Sequence, residues 1–267
     1  MALPRGGVLA RYGVGYDGLD LAQATRRGLY CTITPGTLHV SVAEHAMTLL
    51  LAGARQLTLL DDEMRDGRWG QLVATEVHGK TLAIVGCGAI GSALANIASR
   101  GFGLRVLGVE VAEIDIEAQC RQHGYAEIVR QWEDAVRQAD FVSLHVPNLP
   151  STQHLVNAER LGQMQPHAWL VNTARGAIVD EVALYNALAA SKIGGAALDV
   201  FEHEPYRPVH PDKDLRTLPN VIMTPHVASA TQDACARMAA RALQNIQLAE
   251  RGAYAQMDLV NPEVLKR

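Results

Sequence analysis

Short apolar runs punctuate this chain, and segments of helical spacing lie between them. Thr81-Leu82-Ala83-Ile84-Val85 is a near-continuous apolar run, the pattern of a strand buried on both faces. Similar runs predict strands at Val8 to Arg11, Tyr30 to Ile33, Arg105 to Val109, Phe141 to Val146, Trp169 to Val171, Ala196 to Leu198 and Val221 to Met223. Helical patterns fall at Leu21 to Arg27, Ser92 to Ala98, Ile116 to His123, Trp132 to Gln138 and Glu181 to Ala190. A longer one predicts a single helix from Val42 to about Arg65, with Ser41 as its cap. Gly67 to Gly79, carrying Trp69, reads as a loop. Strands alternating with helices imply an α/β fold, a doubly wound parallel sheet covered on both faces. Ligands of such sheets bind outside the carboxyl ends of the strands.

The first buried run leads directly into Gly86-Cys87-Gly88-Ala89-Ile90-Gly91, which opens a helical pattern. The next strand ends at Glu110. Glycines between a strand and a helix allow a tight turn and close approach of backbone to a pyrophosphate. An acid at the end of the next strand accepts hydrogen bonds from the adenosine ribose. The context makes this a Rossmann-type dinucleotide motif rather than a ligand-free βα turn. A carboxylate at Glu110 repels a 2′-phosphate, which favours NAD over NADP.

Three further stretches end their apolar runs on ionisable groups. They are Asn172-Thr173-Ala174-Arg175-Gly176, Asp199-Val200-Phe201-Glu202-His203-Glu204-Pro205 and Thr224-Pro225-His226. An arginine holds a carboxylate through two parallel hydrogen bonds. A histidine exchanges a proton near neutral pH, and a neighbouring carboxylate orients it. Arg175, Glu204 and His226 together suit reduction of a small 2-keto acid, with Glu202 a competitor for the acid's place. His39, His45, His78 and His145 read as structural, and His203 and His210 lack metal-ligand spacing.

Composition narrows the class. The 267 residues are 48% hydrophobic and 19% charged, and the net charge is −4 without a long basic run. That speaks against disorder and against a nucleic-acid surface. Cys31, Cys87, Cys120 and Cys235 are scattered, which suggests free thiols in a reducing compartment. The start, Met1-Ala2-Leu3-Pro4-Arg5, lacks a signal-peptide core, and Ala46 to Ala54 is too short to span a bilayer. A cytoplasmic location is therefore the expectation.

With these motifs in place, the chain resembles the D-isomer-specific 2-hydroxyacid dehydrogenase family. Gly13-Val14-Gly15-Tyr16-Asp17, Thr34-Pro35-Gly36, Val42-Ala43-Glu44-His45, Gly79-Lys80-Thr81 through Gly91, and Asp140 to Pro147 match its motifs in order. The match runs from about Val8 to Asn261. The resemblance implies Arg175, Glu204 and His226 as the catalytic set, and it selects Glu204 over Glu202. NAD would rest its pyrophosphate over Gly86, Gly88, Ala89, Ile90 and Gly91 and its ribose on Glu110. Val146, Pro147, Thr173 and Ala174 would line the nicotinamide. Asp199 would face its carboxamide, with Arg175, His226 and Ala228 close by. Val14, Gly15, Arg175 and His226 would meet the substrate. The resemblance also implies a homodimer formed through the nucleotide domain; Val42 to Leu60, too apolar for a free surface helix, would form the interface with its neighbours.

Against that family, the first strands and helices of the substrate domain have no counterpart in this sequence. The expected organisation is therefore a substrate-domain remnant at 1–38, a Rossmann domain at 39–227, and a helix and tail at 228–267. In that reading the second, substrate-binding domain is truncated. The alternative to an active enzyme is an NAD-binding fragment or a corepressor-like NAD-responsive protein.

Overall fold

The structure, a computed structural model, describes residues 3–266. Met1 and Ala2, part of the start read above for a leader, and Arg267 lie outside the described residues. The chain divides into two units: one takes the residues up to Ser41 together with those from Ser229 on, the other is Val42–Ala228.

In the first unit, β1 (Val8–Ala10) and β2 (Tyr30–Thr32) pair in parallel around α1 (Leu21–Arg26). Asp20 caps α1 by accepting from Gln23 N at 2.8 Å. Ala24, Leu29 and Cys31 form its small core. The C-terminal tail is tied on by polar contacts. Asn261 accepts from Cys31 N at 2.9 Å and donates to Leu29 O at 2.9 Å. Arg241 grips Asp258 through two bonds of 2.6 Å. Buried polar groups of this kind must be paired to be tolerated.

The larger unit carries a parallel sheet of seven strands. They are β3 (Thr81–Val85), β4 (Arg105–Val109), β5 (Glu127–Val129), β6 (Phe141–Leu144), β7 (Trp169–Asn172), β8 (Gly195–Leu198) and β9 (Val221–Met223). The order is β5-β4-β3-β6-β7-β8-β9, so the winding direction reverses between β3 and β6. The expected doubly wound sheet is therefore present.

Alternation along the buried runs feeds two cores. Ala83, Val85, Val142 and Leu144 pack with α6 (Trp132–Val136), α7 (Ala158–Leu161) and α8 (Glu181–Ala189). Leu82, Ile84 and Phe141 pack with α2 (His39–Arg55), α4 (Ala89–Asn96) and α5 (Ile116–His123). Successive strand side chains point to opposite faces, which is why one apolar run serves both.

The single long helix predicted from Val42 is corrected. α2 starts at His39, so Ser41 lies inside it rather than capping it. It ends at Arg55, and Gln56, at φ 50°, turns the chain into a separate α3 (Leu57–Arg65). The left-handed backbone there breaks the ladder. The three-residue β5 was not anticipated from the pattern, being too short to show a period. The last helix, α9 (Gln232–Glu250), belongs to the first unit. Among the described residues, no helix is long and apolar enough to cross a membrane.

Candidate active site

The loops after β3 and β6 meet at the switch point of the strand order. Gly86 takes φ 98°, and a Cβ there would lie 2.8 Å from the carbonyl of His145. At Gly91 a Cβ would stand 2.1 Å from Gly86 O, so only glycine lets α4 pack this tightly on the loop. Gly88 differs, since a Cβ there would meet nothing within 4 Å. Bare backbone thus faces open space at the start of α4, whose N-terminus has no side-chain cap. The unpaired N–H groups of a helix start form an anion site.

Glu110 is held beside this loop. Its Oε2 accepts from Cys87 N at 2.9 Å and its Oε1 from Ala112 N at 3.0 Å. Cys87 itself is buried, and burial, with the Glu110 charge adding, pushes its thiol up to about 12. It is an inert wall rather than a nucleophile. His145 makes a bond of 2.9 Å to Ser143 Oγ, and burial lowers its pKa to about 4, so it stays neutral. Val146 is half-buried and Pro147 exposed just beyond. Thr173 Oγ1 is buried and finds no hydrogen-bond partner among the described residues. The open cradle at Gly88, the acid at Glu110 and this orphaned hydroxyl fit a dinucleotide.

Three neighbouring strands then deliver the ionisable groups. Asn172, Leu198 and Met223 end β7, β8 and β9 in register. Adjacent strands lie about 4.8 Å apart, so the loops that leave their ends are crowded into one region. After β7, Asn172 braces the turn. Its Oδ1 accepts from Ala174 N at 3.0 Å and its Nδ2 donates to Arg175 O at 2.9 Å. Arg175 extends half-buried from this turn and donates through Nη1 to Ala174 O. Gly176 then presses on the loop after β8: a Cβ would lie 1.8 Å from Phe201 C.

After β9 the backbone of His226 sits at φ 55°, a strained region for a side chain with a Cβ. Asp199 holds it there. The Asp199 carbonyl accepts from His226 N at 2.8 Å. Its carboxylate accepts from Thr224 Oγ1 at 2.6 Å, Val227 N at 2.9 Å and Ala228 N at 2.8 Å. The Thr224 proton is thereby used, so its oxygen accepts from His45 Nε2 at 3.1 Å. Burial alone would push Asp199 up; these bonds outweigh it and keep the carboxyl below its usual range. The family resemblance implies that Asp199 faces a carboxamide. It is fully buried, and what it shows is bracing of the His226 loop, with the N–H of Ala228 spent on it.

The imidazole so placed is half-exposed, and its Nδ1 lies 2.7 Å from Glu204 Oε2. The other Glu204 oxygen accepts from Phe201 N at 3.1 Å. Glu202 points away and bonds to Glu181 N and His154 instead. Nδ1 faces the carboxylate, which leaves Nε2 to exchange a proton. Arg175, Glu204 and His226 therefore stand at neighbouring strand ends of one unit. Val14 and Gly15 belong to the first unit, outside this arrangement. Sequence reasoning missed the bracing by Asn172, Asp199, Thr224 and His45. Only the placing of Asn172 and Asp199 at strand ends hinted at it.

With the geometry in hand, comparison with known proteins gives concordant likenesses. Residues 47–228 match the family model described as D-isomer specific 2-hydroxyacid dehydrogenase, NAD binding domain. A glyoxylate reductase of Korarchaeum cryptofilum is 41% identical over 272 residues, 99% of this chain and 79% of the relative. The crystal structure of a Thermus thermophilus protein aligns at TM-score 0.82 and 39% identity, over 92% of this chain and 76% of that one. D-lactate dehydrogenase from Lactobacillus jensenii, solved with NAD+, aligns at TM-score 0.76 and 30% identity, over 90% and 74%.

Proposed function

The chain belongs to the D-isomer-specific 2-hydroxyacid dehydrogenase family, and from that premise we propose that it reduces glyoxylate or a similarly small 2-keto acid with His226 as the proton carrier. It is an NAD-dependent oxidoreductase that interconverts 2-hydroxy and 2-keto acids. The observation that carries the finer reading is the 2.7 Å contact of His226 Nδ1 with Glu204, made on a strained backbone that Asp199 holds in place.

In this reading, a nicotinamide cofactor held by the residues below would supply the hydride for C2 of the keto acid. Gly86, Gly88, Ala89, Ile90 and Gly91 form the phosphate cradle, and Glu110 takes the ribose hydroxyls. Val146, Pro147, Thr173 and Ala174 flank the nicotinamide half. Arg175 holds the substrate carboxylate and polarises the carbonyl. His226 donates a proton from Nε2 to the carbonyl oxygen, and takes it back in the oxidative direction. Glu204 orients the ring through its contact with Nδ1.

A panel of glyoxylate, hydroxypyruvate and pyruvate, each run with NADH and with NADPH, tests this. Glyoxylate turnover with a clear preference for NADH is expected, because Glu110 repels a 2′-phosphate. Replacement of Glu110 by alanine should relax that preference. No reduction of any acid, or indifference to the cofactor in the unaltered protein, would count against the reading.

The proposal extends to a homodimer. The apolar face of α2 is spent on its own core through Ala46, Met47, Leu50 and Ala54. Five large apolar residues are exposed on α3 and the loop after it: Leu57, Met64, Trp69, Leu72 and Val73, with Val73 100% and Trp69 80% exposed. Exposed apolar side chains concentrated in one stretch of chain make it the surface proposed for the interface. Light scattering at micromolar concentration should give the mass of a dimer. A W69D/V73D variant should give a monomer that keeps the fold. A monomeric unaltered protein would remove the dimer from the proposal.

A further inference from the structure

One buried carboxyl near the site has no part in the chemistry above. Glu181 is the first residue of α8 and only 5% exposed. The helix needs nothing from it as a cap, since Asp180 already accepts from Ala183 N at 2.9 Å. Its side chain turns to the loop after β8. Oε1 of Glu181 accepts from Glu202 N at 2.6 Å, and Glu181 N donates to Glu202 Oε1 at 3.1 Å. Backbone and side chain of Glu202 are thus both clasped by one residue of α8. The second Glu202 oxygen lies 3.2 Å from His154 Nε2.

The clasped segment connects the two halves of the site. The Phe201 N–H donates to the Glu204 carboxylate that orients His226. The carbonyl side of Phe201 is where Gly176, next to Arg175, makes its closest approach. A shift of this short segment would move Glu204 and the arginine turn together. Burying a carboxyl is costly, so a position serving stability alone would favour an apolar side chain.

We propose that Glu181 is a positioning residue: by clasping Glu202 it fixes the Phe201–Glu204 loop, and so sets the Glu204 carboxylate against His226. The inference rests on the reading of His226 as proton carrier. The groups facing Glu181 are Glu202, Glu204 and Tyr206 of the loop, His154 through Glu202, and Asp180 of its own helix start. Burial, with the Glu202 and Glu204 charges adding and the Glu202 N–H opposing, pushes Glu181 up to about 7. A neutral side chain with an accepting oxygen is therefore a fair replacement for it.

The test compares Glu181→Ala with Glu181→Gln in the full chain. Steady-state reduction of glyoxylate by NADH, NADH titration, and the ring titration of His226 by NMR are measured for each. Glu181→Ala should lower kcat by about 10- to 100-fold, the scale of a misplaced group, with NADH affinity unchanged. The His226 titration should shift toward that of Glu204→Gln. Glu181→Gln, which keeps the accepting oxygen, should restore both. Unchanged kcat and unchanged His226 titration in Glu181→Ala, or equal damage in Glu181→Gln, would overturn the proposal. If Glu181→Ala does not fold, Glu181→Asp, which draws the carboxyl back from Glu202 N, takes its place with the same expectations. Failure of the underlying reading is separable: His226→Ala would then keep its turnover, while the NMR titration would still report whether Glu181 acts on the ring.

Discussion

Replacing His226 with alanine should lower kcat for keto-acid reduction by about 10² to 10⁴-fold, the usual share of a positioned acid–base group, and leave NADH binding unchanged. The separation comes from where the groups lie. The cradle at Gly88 and the acid at Glu110 come after β3 and β4, whereas His226 comes after β9 at the far end of the strand order. The side chain is half-exposed and bonds to Glu204, so its loss does not open the core. Steady-state kinetics beside a fluorescence titration of NADH would check both parts. Near-normal turnover would remove His226 from the reaction. A matching loss of NADH affinity would mean that the histidine serves cofactor binding instead.

The second large effect is expected from Gly176→Ala. A Cβ at that position would stand 1.8 Å from Phe201 C and 2.0 Å from Phe201 O, and both neighbours are backbone that cannot swing aside. Overpacking of this kind costs about 1–3 kcal/mol, which for a chain of this size lowers Tm by roughly 2–12 °C. Activity should fall further than stability, because the displaced segment carries the bond to Glu204 and the displaced turn carries Arg175. Gly101→Ala is the control, since its Cβ would meet nothing within 4 Å. Thermal melts and kcat/KM measured together would decide. A Gly176→Ala protein as stable and active as the Gly101→Ala control would show that the two loops are not rigidly packed.

Much of this architecture is local and so was legible in the chain itself. The buried run at β3, the glycines after it and the acid at Glu110 lie close in sequence, and strand periodicity and turn chemistry act over such distances. The same reasoning placed Arg175, Asp199 and His226 just past strand ends, where a parallel sheet gathers its functional groups. The choice of Glu204 over Glu202 came from the family resemblance, because two acids in one loop look alike until the loop is folded. The structure turns one toward His226 and the other toward Glu181 and His154.

What sequence alone determined was therefore the set of elements and the chemistry at their ends. Tertiary structure decided the rest, because the deciding contacts join residues far apart in the chain. Asp199 braces the His226 loop with His45 behind it, and Glu181 clasps Glu202 across the gap between α8 and the loop after β8. The break at Gln56 also lay beyond reach. The residues on both sides favour a helix, and only the folded backbone, at φ 50°, turns the chain there. Propensity acts between near neighbours, whereas a buried hydrogen bond or a close packing contact exists only once distant segments have met.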